Sequence, residues 1–259
     1  MKPQRRRLAF FLGLIVALLV SGPALADLAD TIARIKPSLV VVGTFNKLKS
    51  PSFAMRGSGF VVGDGRLVAT NSHVIAEIAG ADPGQDILMI LARQGNETRP
   101  YPVQLVTRDT EHDLALLRIT GPALPALTLG TSDSVQEGQT IAFSGFPIGG
   151  ALGFSPVTHR GIISSITPIA IPIGNAQQLK DQSIRRLRSG AFPIFQLDGT
   201  AYPGNSGGPL FDPKNGEVIG IINMVFIKST KEAMIEKPSG ITYAVPAKHL
   251  AELLSNIRQ

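Results

Sequence analysis

The 259-residue chain contains no cysteine and no tryptophan, and it has only four histidines. The lack of cysteine excludes disulfide bonds, which a chain of this length does not need because it can bury a sizeable apolar core. No group of His, Asp and Glu residues has the spacing of metal ligands. The sequence therefore predicts no metal and no other cofactor.

The amino-terminal segment, residues 1–26, carries most of the positive charge. It has four basic and no acidic residues, so the rest of the chain keeps only +2 of the total of +6. This small excess gives no reason to expect nucleic-acid binding. The basic start, the apolar run from Leu8 to Val20 and the Ala24-Leu25-Ala26 triplet predict a secretory signal peptide cleaved after Ala26.

A retained membrane anchor is the alternative interpretation of this segment. Its apolar run is shorter than the about 20 residues that span a bilayer, which favours cleavage. With the signal removed, we expect a periplasmic or secreted protein without a stable membrane span.

Short apolar runs separated by glycine- and proline-rich turns fill the rest of the chain. Six strand-like runs lie between residues 39 and 119, and six more lie between residues 140 and 245. This spacing is typical of an all-β barrel or sandwich. Helices are predicted at 27–35 and at 246–257, the second with Ala247, Leu250, Ala251 and Leu254 on its apolar face. We therefore expect two all-β units, 27–122 and 123–259, joined by a linker at 120–126.

Residues 175–188 form a basic segment of helical composition, with Lys180, Arg185, Arg186 and Arg188. A solvated helix in an insertion is the simpler interpretation. A sensing or partner-binding loop is the alternative.

The stretch Y-P-G-N-S-G-G-P-L-F, residues 202–211, places five glycines and prolines around one serine. An ordinary surface turn needs one or two such residues. This density predicts a backbone held in an unusual path with the hydroxyl of Ser206 at its apex. A serine hydroxyl is a weak nucleophile and needs a base to accept its proton. The candidate bases are His73, His112, His159 and His249.

Three motifs in chain order choose among these histidines. T-N-S-H-V at 70–74, H-D-L-A-L-L at 112–117 and G-N-S-G-G-P at 204–209 resemble the His, Asp and Ser motifs of chymotrypsin-fold serine proteases. More closely, they resemble those of the bacterial Deg/HtrA family, which G-S-G-F at 57–60 also matches. The resemblance runs from about residue 28 to 250. It implies an all-β, chymotrypsin-like fold of two six-stranded antiparallel β-barrels with short helices at both ends.

The resemblance also implies roles for individual residues. Ser206 would be the nucleophile, His73 its base and Asp113 the carboxylate that orients the imidazole. Gly204 and Ser206 would supply the two backbone N–H groups of an oxyanion hole. Because alternate strand residues face opposite sides, we expect His112 to point away from this site. Asn205 stands where digestive proteases have an aspartate that pairs with a new amino terminus, so no zymogen switch of that kind is expected.

Substrate preference follows from four positions that resemble the first specificity pocket, namely Thr200, Asn223, Met224 and Val225. Thr200 is uncharged, and the other three suggest a modest apolar pocket. The expected preference is for small or medium aliphatic residues before the cleaved bond.

The leading hypothesis is an exported serine endopeptidase that cleaves unfolded or damaged proteins through an acyl-enzyme. One alternative is a peptide-binding or chaperone-like module with latent proteolysis, and another is a processing protease for one client. Deg/HtrA proteins typically carry one or two PDZ domains after the protease, and none is expected here. A homotrimer, common in that family, stays open.

Overall fold

The structure is a computed structural model that describes residues 27–76, 86–95, 97–148, 153–168, 192–223 and 241–257. The signal segment 1–26, the basic segment 175–188, Met224 and Val225 lie outside the described residues.

Twelve strands form two closed antiparallel barrels, which confirms the predicted fold class. The first barrel follows the order β1-β2-β3-β6-β5-β4. Its strands are β1 (Leu39–Phe45), β2 (Phe53–Val62), β3 (Leu67–Asn71), β4 (Ile87–Gln94), β5 (Glu97–Asp109) and β6 (Leu114–Ile119).

The second barrel follows the order β10-β11-β12-β9-β8-β7. Its strands are β7 (Thr140–Gly145), β8 (Val157–Pro168), β9 (Pro193–Asp198), β10 (Pro209–Phe211), β11 (Val218–Asn223) and β12 (Ile241–Pro246). Three α-helices complete the described part: α1 (Leu28–Ile35), α2 (Ser72–Ile75) and α3 (Ala247–Asn256). The boundary between residues 122 and 123 stays a prediction.

Both faces of several strands are buried, which explains their unbroken apolar runs. In β1, Val40 and Val42 belong to the core of the first barrel. Leu39 and Val41 point the other way, into a cluster that also includes Ile221 of the second barrel. The two barrels therefore share one apolar interface in addition to their separate cores.

The segment that follows the predicted linker, residues 127–130, pairs with both barrels. The N–H of Leu127 donates to the carbonyl of Val61 at 2.9 Å, and the N–H of Gly130 donates to the carbonyl of Val218 at 2.9 Å. Parallel bridges join Val62 to Leu127 and Leu129 to Val218. These bonds tie the two barrels together on either side of Thr128.

The closing helix α3 is where the sequence predicted it, but its buried face differs. Leu250 and Leu254 are buried as expected. His249, which was not predicted on the apolar face, is also buried. Ala251, predicted on the apolar face, is exposed. Compared with the predicted orientation, the helix is therefore rotated about its axis, so that His249 packs against His112 of the first barrel.

Candidate active site

His73 lies where β3 ends and α2 begins. The backbone N–H of Ser72, immediately before it, donates to the carbonyl of Asp113 at 3.0 Å. The side-chain amide of Asn71 donates to the same carbonyl at 3.1 Å. These bonds hold the start of α2 against the turn that carries Asp113. Two segments that are 40 residues apart in the sequence therefore lie side by side.

The carboxylate of Asp113 holds His73 by two hydrogen bonds. Its Oδ1 accepts from the backbone N–H of His73 at 2.8 Å. Its Oδ2 lies 2.6 Å from Nδ1 of the imidazole. Because an ionised carboxylate only accepts hydrogen bonds, the imidazole hydrogen is on Nδ1 and Nε2 is left as an acceptor. This is the tautomer in which an imidazole can take a proton from a hydroxyl.

Asp113 itself is held in an unusual backbone conformation. Its φ is +56°, in the left-handed region that asparagine and aspartate tolerate better than other non-glycine residues. Its side chain is 5% exposed, whereas that of His73 is 31% exposed. A third bond stabilises the buried carboxylate, because the side-chain amide of Asn223 donates to Oδ2 at 2.8 Å. The pair is therefore buried at the aspartate and open at the histidine.

The loop around Ser206 is held by bonds to several elements. The carbonyl of Pro203 accepts from the N–H of Ile148 at 2.7 Å, and the carbonyl of Ser206 accepts from the N–H of Ser58 at 2.8 Å. Gly204 has a φ of +106°. A Cβ at that position would also collide with the carbonyl oxygen of Phe146, so only glycine fits. The predicted unusual backbone path is thus present at Gly204.

Asn205 is fully buried, and neither polar atom of its side chain has a hydrogen-bond partner. A carboxylate at this position would be a buried charge without compensation, which is costly. The neutral amide is therefore the residue type that this position accepts.

The structure describes two of the four predicted specificity residues, Thr200 and Asn223, and they lie in different surroundings. Thr200 is half-buried on the segment before the Ser206 loop. The hydroxyl of Thr242 fixes that segment, accepting from the N–H of Ala201 at 2.9 Å and donating to the carbonyl of Gly199 at 2.6 Å. The side-chain amide of Asn223 donates to the carboxylate of Asp113, a contact that the sequence did not indicate.

His112 forms a second histidine–aspartate pair on the turn next to Asp113. Its Nδ1 lies 2.5 Å from Oδ2 of Asp109. Its ring stacks on that of His249, with centroids 3.7 Å apart, and meets Phe192 edge-on at 4.5 Å. We predicted that His112 points away from Ser206 because it would alternate with Asp113 along a strand. That reason was wrong, because residues 110–113 form a turn before β6.

Two pKa shifts follow from this packing. Burial opposes the ionisation of Asp109, but the hydrogen bonds from the side chain and backbone of His112 outweigh it and lower the pKa of that carboxyl. Burial, reinforced by the neighbouring His112, lowers the pKa of His249 despite the opposing effect of Glu252. We define the histidine cluster as Asp109, His112, Phe192 and His249.

Within the described ranges, no group of three or more His, Asp and Glu side chains is arranged to hold a metal ion. None of the helices in these same ranges is both long and apolar enough to cross a bilayer.

The fold agrees with comparisons to known proteins. The family model "Trypsin-like peptidase domain" matches residues 57–221, a span that includes Ser58, His73, Asp113 and Ser206. The chain therefore belongs to the trypsin-like peptidase family, which has the chymotrypsin-like fold.

Within that family, the similarity is to the HtrA type. A probable periplasmic serine endoprotease, DegP-like, of Halomonas elongata is 34% identical over 202 residues, which are 78% of this chain and 35% of the relative. A protein of the same description from Marinomonas sp. strain MWYL1 is 31% identical over the same shares. The chain thus spans about a third of the length of these relatives.

Solved structures point the same way. The HtrA-type protease AlgW, solved with a tripeptide, superposes with a TM-score of 0.65 at 28% identity. The match covers 90% of this chain and 64% of that one.

Proposed function

We propose that this protein is a serine endopeptidase in which Ser206, His73 and Asp113 form the catalytic triad. The observation that carries the proposal is the pair of hydrogen bonds that the Asp113 carboxylate accepts from the backbone N–H and from Nδ1 of His73. These bonds fix both the tautomer and the direction of the imidazole, which is the requirement for a general base.

In the first half of the reaction, Oγ of Ser206 attacks the carbonyl carbon of the peptide bond. Nε2 of His73 takes the hydroxyl proton, and the Asp113 carboxylate stabilises the imidazolium that results. The tetrahedral intermediate then collapses. The C–N bond breaks, the leaving amine takes the proton from His73, and the acyl group stays on Ser206 as an ester.

In the second half, water replaces the amine. His73 takes a proton from the water as it attacks the ester carbonyl, and returns that proton to Oγ of Ser206 as the ester bond breaks. The carboxylic acid product leaves, and the free hydroxyl is restored.

The oxyanion hole would be formed by the N–H groups of Gly204 and Ser206. The carbonyl of Pro203 is held by Ile148, and in a trans peptide the N–H of the next residue points the opposite way. The N–H of Gly204 is therefore directed away from Ile148 and is available for a substrate oxygen. Loss of one such donor lowers turnover by about 10²–10³.

Asn223 would act as a positioning residue. Its amide gives the buried Asp113 carboxylate a third hydrogen bond, which keeps Oδ2 in line with the imidazole.

For substrates, we propose unfolded or damaged proteins, with small or medium aliphatic residues before the cleaved bond. The uncharged Thr200 supports the apolar preference, and Met224 and Val225 would complete the pocket. The DegP-like relatives are described as periplasmic endoproteases, and AlgW was solved with a peptide. Both support a periplasmic enzyme that acts on polypeptides, exported by the segment 1–26.

Two experiments test the activity. Purified protein should digest casein, and a fluorophosphonate probe should label it at Ser206. Ser206→Ala should abolish both, because the nucleophile is removed, while circular dichroism stays unchanged. Absence of labelling in the wild type, together with suppression of aggregation, would favour the chaperone-like alternative.

Cleavage of one periplasmic protein while casein stays intact would instead identify a processing protease. Peptide-library profiling tests the aliphatic preference directly. Export is tested separately, by sequencing the amino terminus of protein recovered from a periplasmic fraction. A start at Asp27 is expected, and a start at Met1 would contradict cleavage.

A further inference from the structure

Ser58 lies in β2 of the first barrel and is fully buried. Several of its hydrogen-bond partners belong to the second barrel, because this part of β2 faces the Ser206 loop. The backbone N–H of Ser58 donates to the carbonyl of Ser206 at 2.8 Å. The carbonyl of Ser58 accepts from the hydroxyl of Thr70 at 2.7 Å, which holds the residue from within its own barrel.

The hydroxyl of Ser58 bridges two separate segments of the second barrel. It donates to the carbonyl of Gly204 at 2.6 Å. It accepts from the backbone N–H of Phe146 at 2.9 Å. Phe146 is two residues from Ile148, whose N–H holds the carbonyl of Pro203. Ser58 therefore links the loop that carries Gly204 to the loop that supports it.

These bonds fix both peptide groups that flank Gly204. Ile148 holds the carbonyl before the glycine, and Ser58 holds the carbonyl after it. Glycine rotates more freely than any other residue, so its conformation depends on such external bonds. Rotation of the Gly204 N–H away from a substrate oxygen would break the bond from Ile148 to the Pro203 carbonyl, and the bond from the buried Ser58 hydroxyl to the Gly204 carbonyl restricts the same rotation from the other side of the glycine.

We propose that Ser58 is a positioning residue for the oxyanion hole, acting through the peptide groups of Gly204. The proposal rests on the proposed peptidase function. It means that the first barrel supplies the base and its carboxylate, and also controls the direction of an N–H donor on the second barrel. Because that donor acts on the charge that develops in the transition state, Ser58 should affect turnover more than substrate binding.

The test compares Ser58→Ala with Ser144→Ala. Ser144 is also a fully buried serine, and its hydroxyl bonds to that of Thr158 at 2.7 Å, away from Gly204. Turnover is measured on a fluorogenic peptide and expressed per site labelled by a fluorophosphonate. This correction removes any loss that comes from unfolded protein.

For Ser58→Ala, we expect kcat per labelled site to fall about tenfold to hundredfold, less than the effect of deleting a donor outright. KM should change less than threefold. The inhibition constant of a peptide boronic acid ending in boronovaline should rise by the same factor as kcat falls, since its tetrahedral oxygen occupies the oxyanion position. Ser144→Ala should stay within threefold of the wild type in all three quantities.

A Ser58→Ala protein with wild-type kcat per labelled site and unchanged boronate affinity would overturn the proposal. If Ser58→Ala does not fold, Ser58→Cys replaces it, since a thiol is a much weaker donor. Its kcat per labelled site should fall at least threefold, and equality with the wild type would again overturn the proposal. A wild-type protein that neither reacts with the probe nor cleaves peptide would contradict the peptidase function itself, which is a different result.

Discussion

Two histidine–aspartate pairs meet at one turn of the first barrel, and they differ in almost everything except distance. His73 and Asp113 are joined at 2.6 Å, and His112 and Asp109 at 2.5 Å. The first pair is open at the histidine. The second is covered by His249 and Phe192. A short contact between imidazole and carboxylate therefore does not identify a catalytic pair.

What separates the two pairs is the surrounding structure. Asn223, from the second barrel, donates to the carboxylate of Asp113. The second barrel also contributes to the other pair, but through the rings of Phe192 and His249, which pack against His112. The first pair is hydrogen-bonded to a polar side chain and is open at the histidine. In the second pair, His112 packs against His249 of α3 and against Phe192, just before β9.

The largest effect is expected when the two carboxylates are neutralised in turn. Asp113→Asn should lower turnover by roughly 10⁴ with the fold retained, because an amide no longer selects the required tautomer of His73. Asp109→Asn should leave turnover within about threefold. Steady-state kinetics with circular dichroism of both variants checks this, and the reverse order of effects would contradict the assignment.

A smaller loss is expected at Asn223, whose amide donates to Asp113 of the first pair. Asn223→Ala removes one hydrogen bond to an ionised carboxylate and should lower kcat/KM by about tenfold to hundredfold. Asn223→Asp should lower it further, because a carboxylate at this position has no hydrogen to donate to Asp113 and repels its carboxylate. Equal activity of the wild type and Asn223→Ala on a fluorogenic peptide would remove its positioning role.

His112→Ala tests whether the second pair is structural. Turnover should stay within about threefold of the wild type, because the His112 ring bonds to Asp109 and stacks on His249. The free energy of unfolding should fall by about 1–3 kcal/mol, because Asp109 loses its partner and the stack with His249 is lost. Urea denaturation measures this, and an unchanged midpoint would show that the histidine cluster contributes nothing to stability.

The smallest effect is a pH dependence of stability that comes from His249, whose ring stacks on His112 of the second pair. The groups around the His249 ring are His112 with its partner Asp109, Phe192, Glu252 and Lys248. Because the folded state lowers the pKa of His249, it binds fewer protons there than the unfolded chain does. The stability that a neutral His249 contributes is fully present above the pKa of this histidine in the unfolded chain, about 6.5. It is lost as the pH falls below that value, because the unfolded chain then binds the proton more readily than the folded state.

His249→Phe keeps an aromatic ring at this position but removes the titration. Its free energy of unfolding should decrease less than that of the wild type between pH 7.5 and pH 5.5. His159, whose pKa burial also lowers, is present in both proteins and cancels in the comparison. Parallel decreases in the two proteins would contradict a neutral, buried His249.

Sequence reasoning reached the fold because the barrels depend on local features. Apolar runs such as Leu39–Phe45 and the glycine-rich turns between them indicated twelve strands, and twelve are present in the described part. It gave the wrong reason for the direction of His112, which lies in a turn, and the wrong exposure for Ala251, which depends on a small rotation of a helix. Such rotations are decided by packing against neighbours distant in the chain.

The order of the three motifs, the glycines around Ser206 and the neutral Asn205 belong to the sequence itself, since backbone freedom and side-chain charge are properties of single residues. Which side chain supports Asp113, which hydroxyl holds Gly204 and which histidine is buried were decided only by the tertiary structure. Asn223 lies 110 residues from Asp113, and Ser58 lies 146 residues from Gly204. Contacts over such distances exist only after each barrel has closed and the two have packed together, because no local pattern fixes their relative orientation.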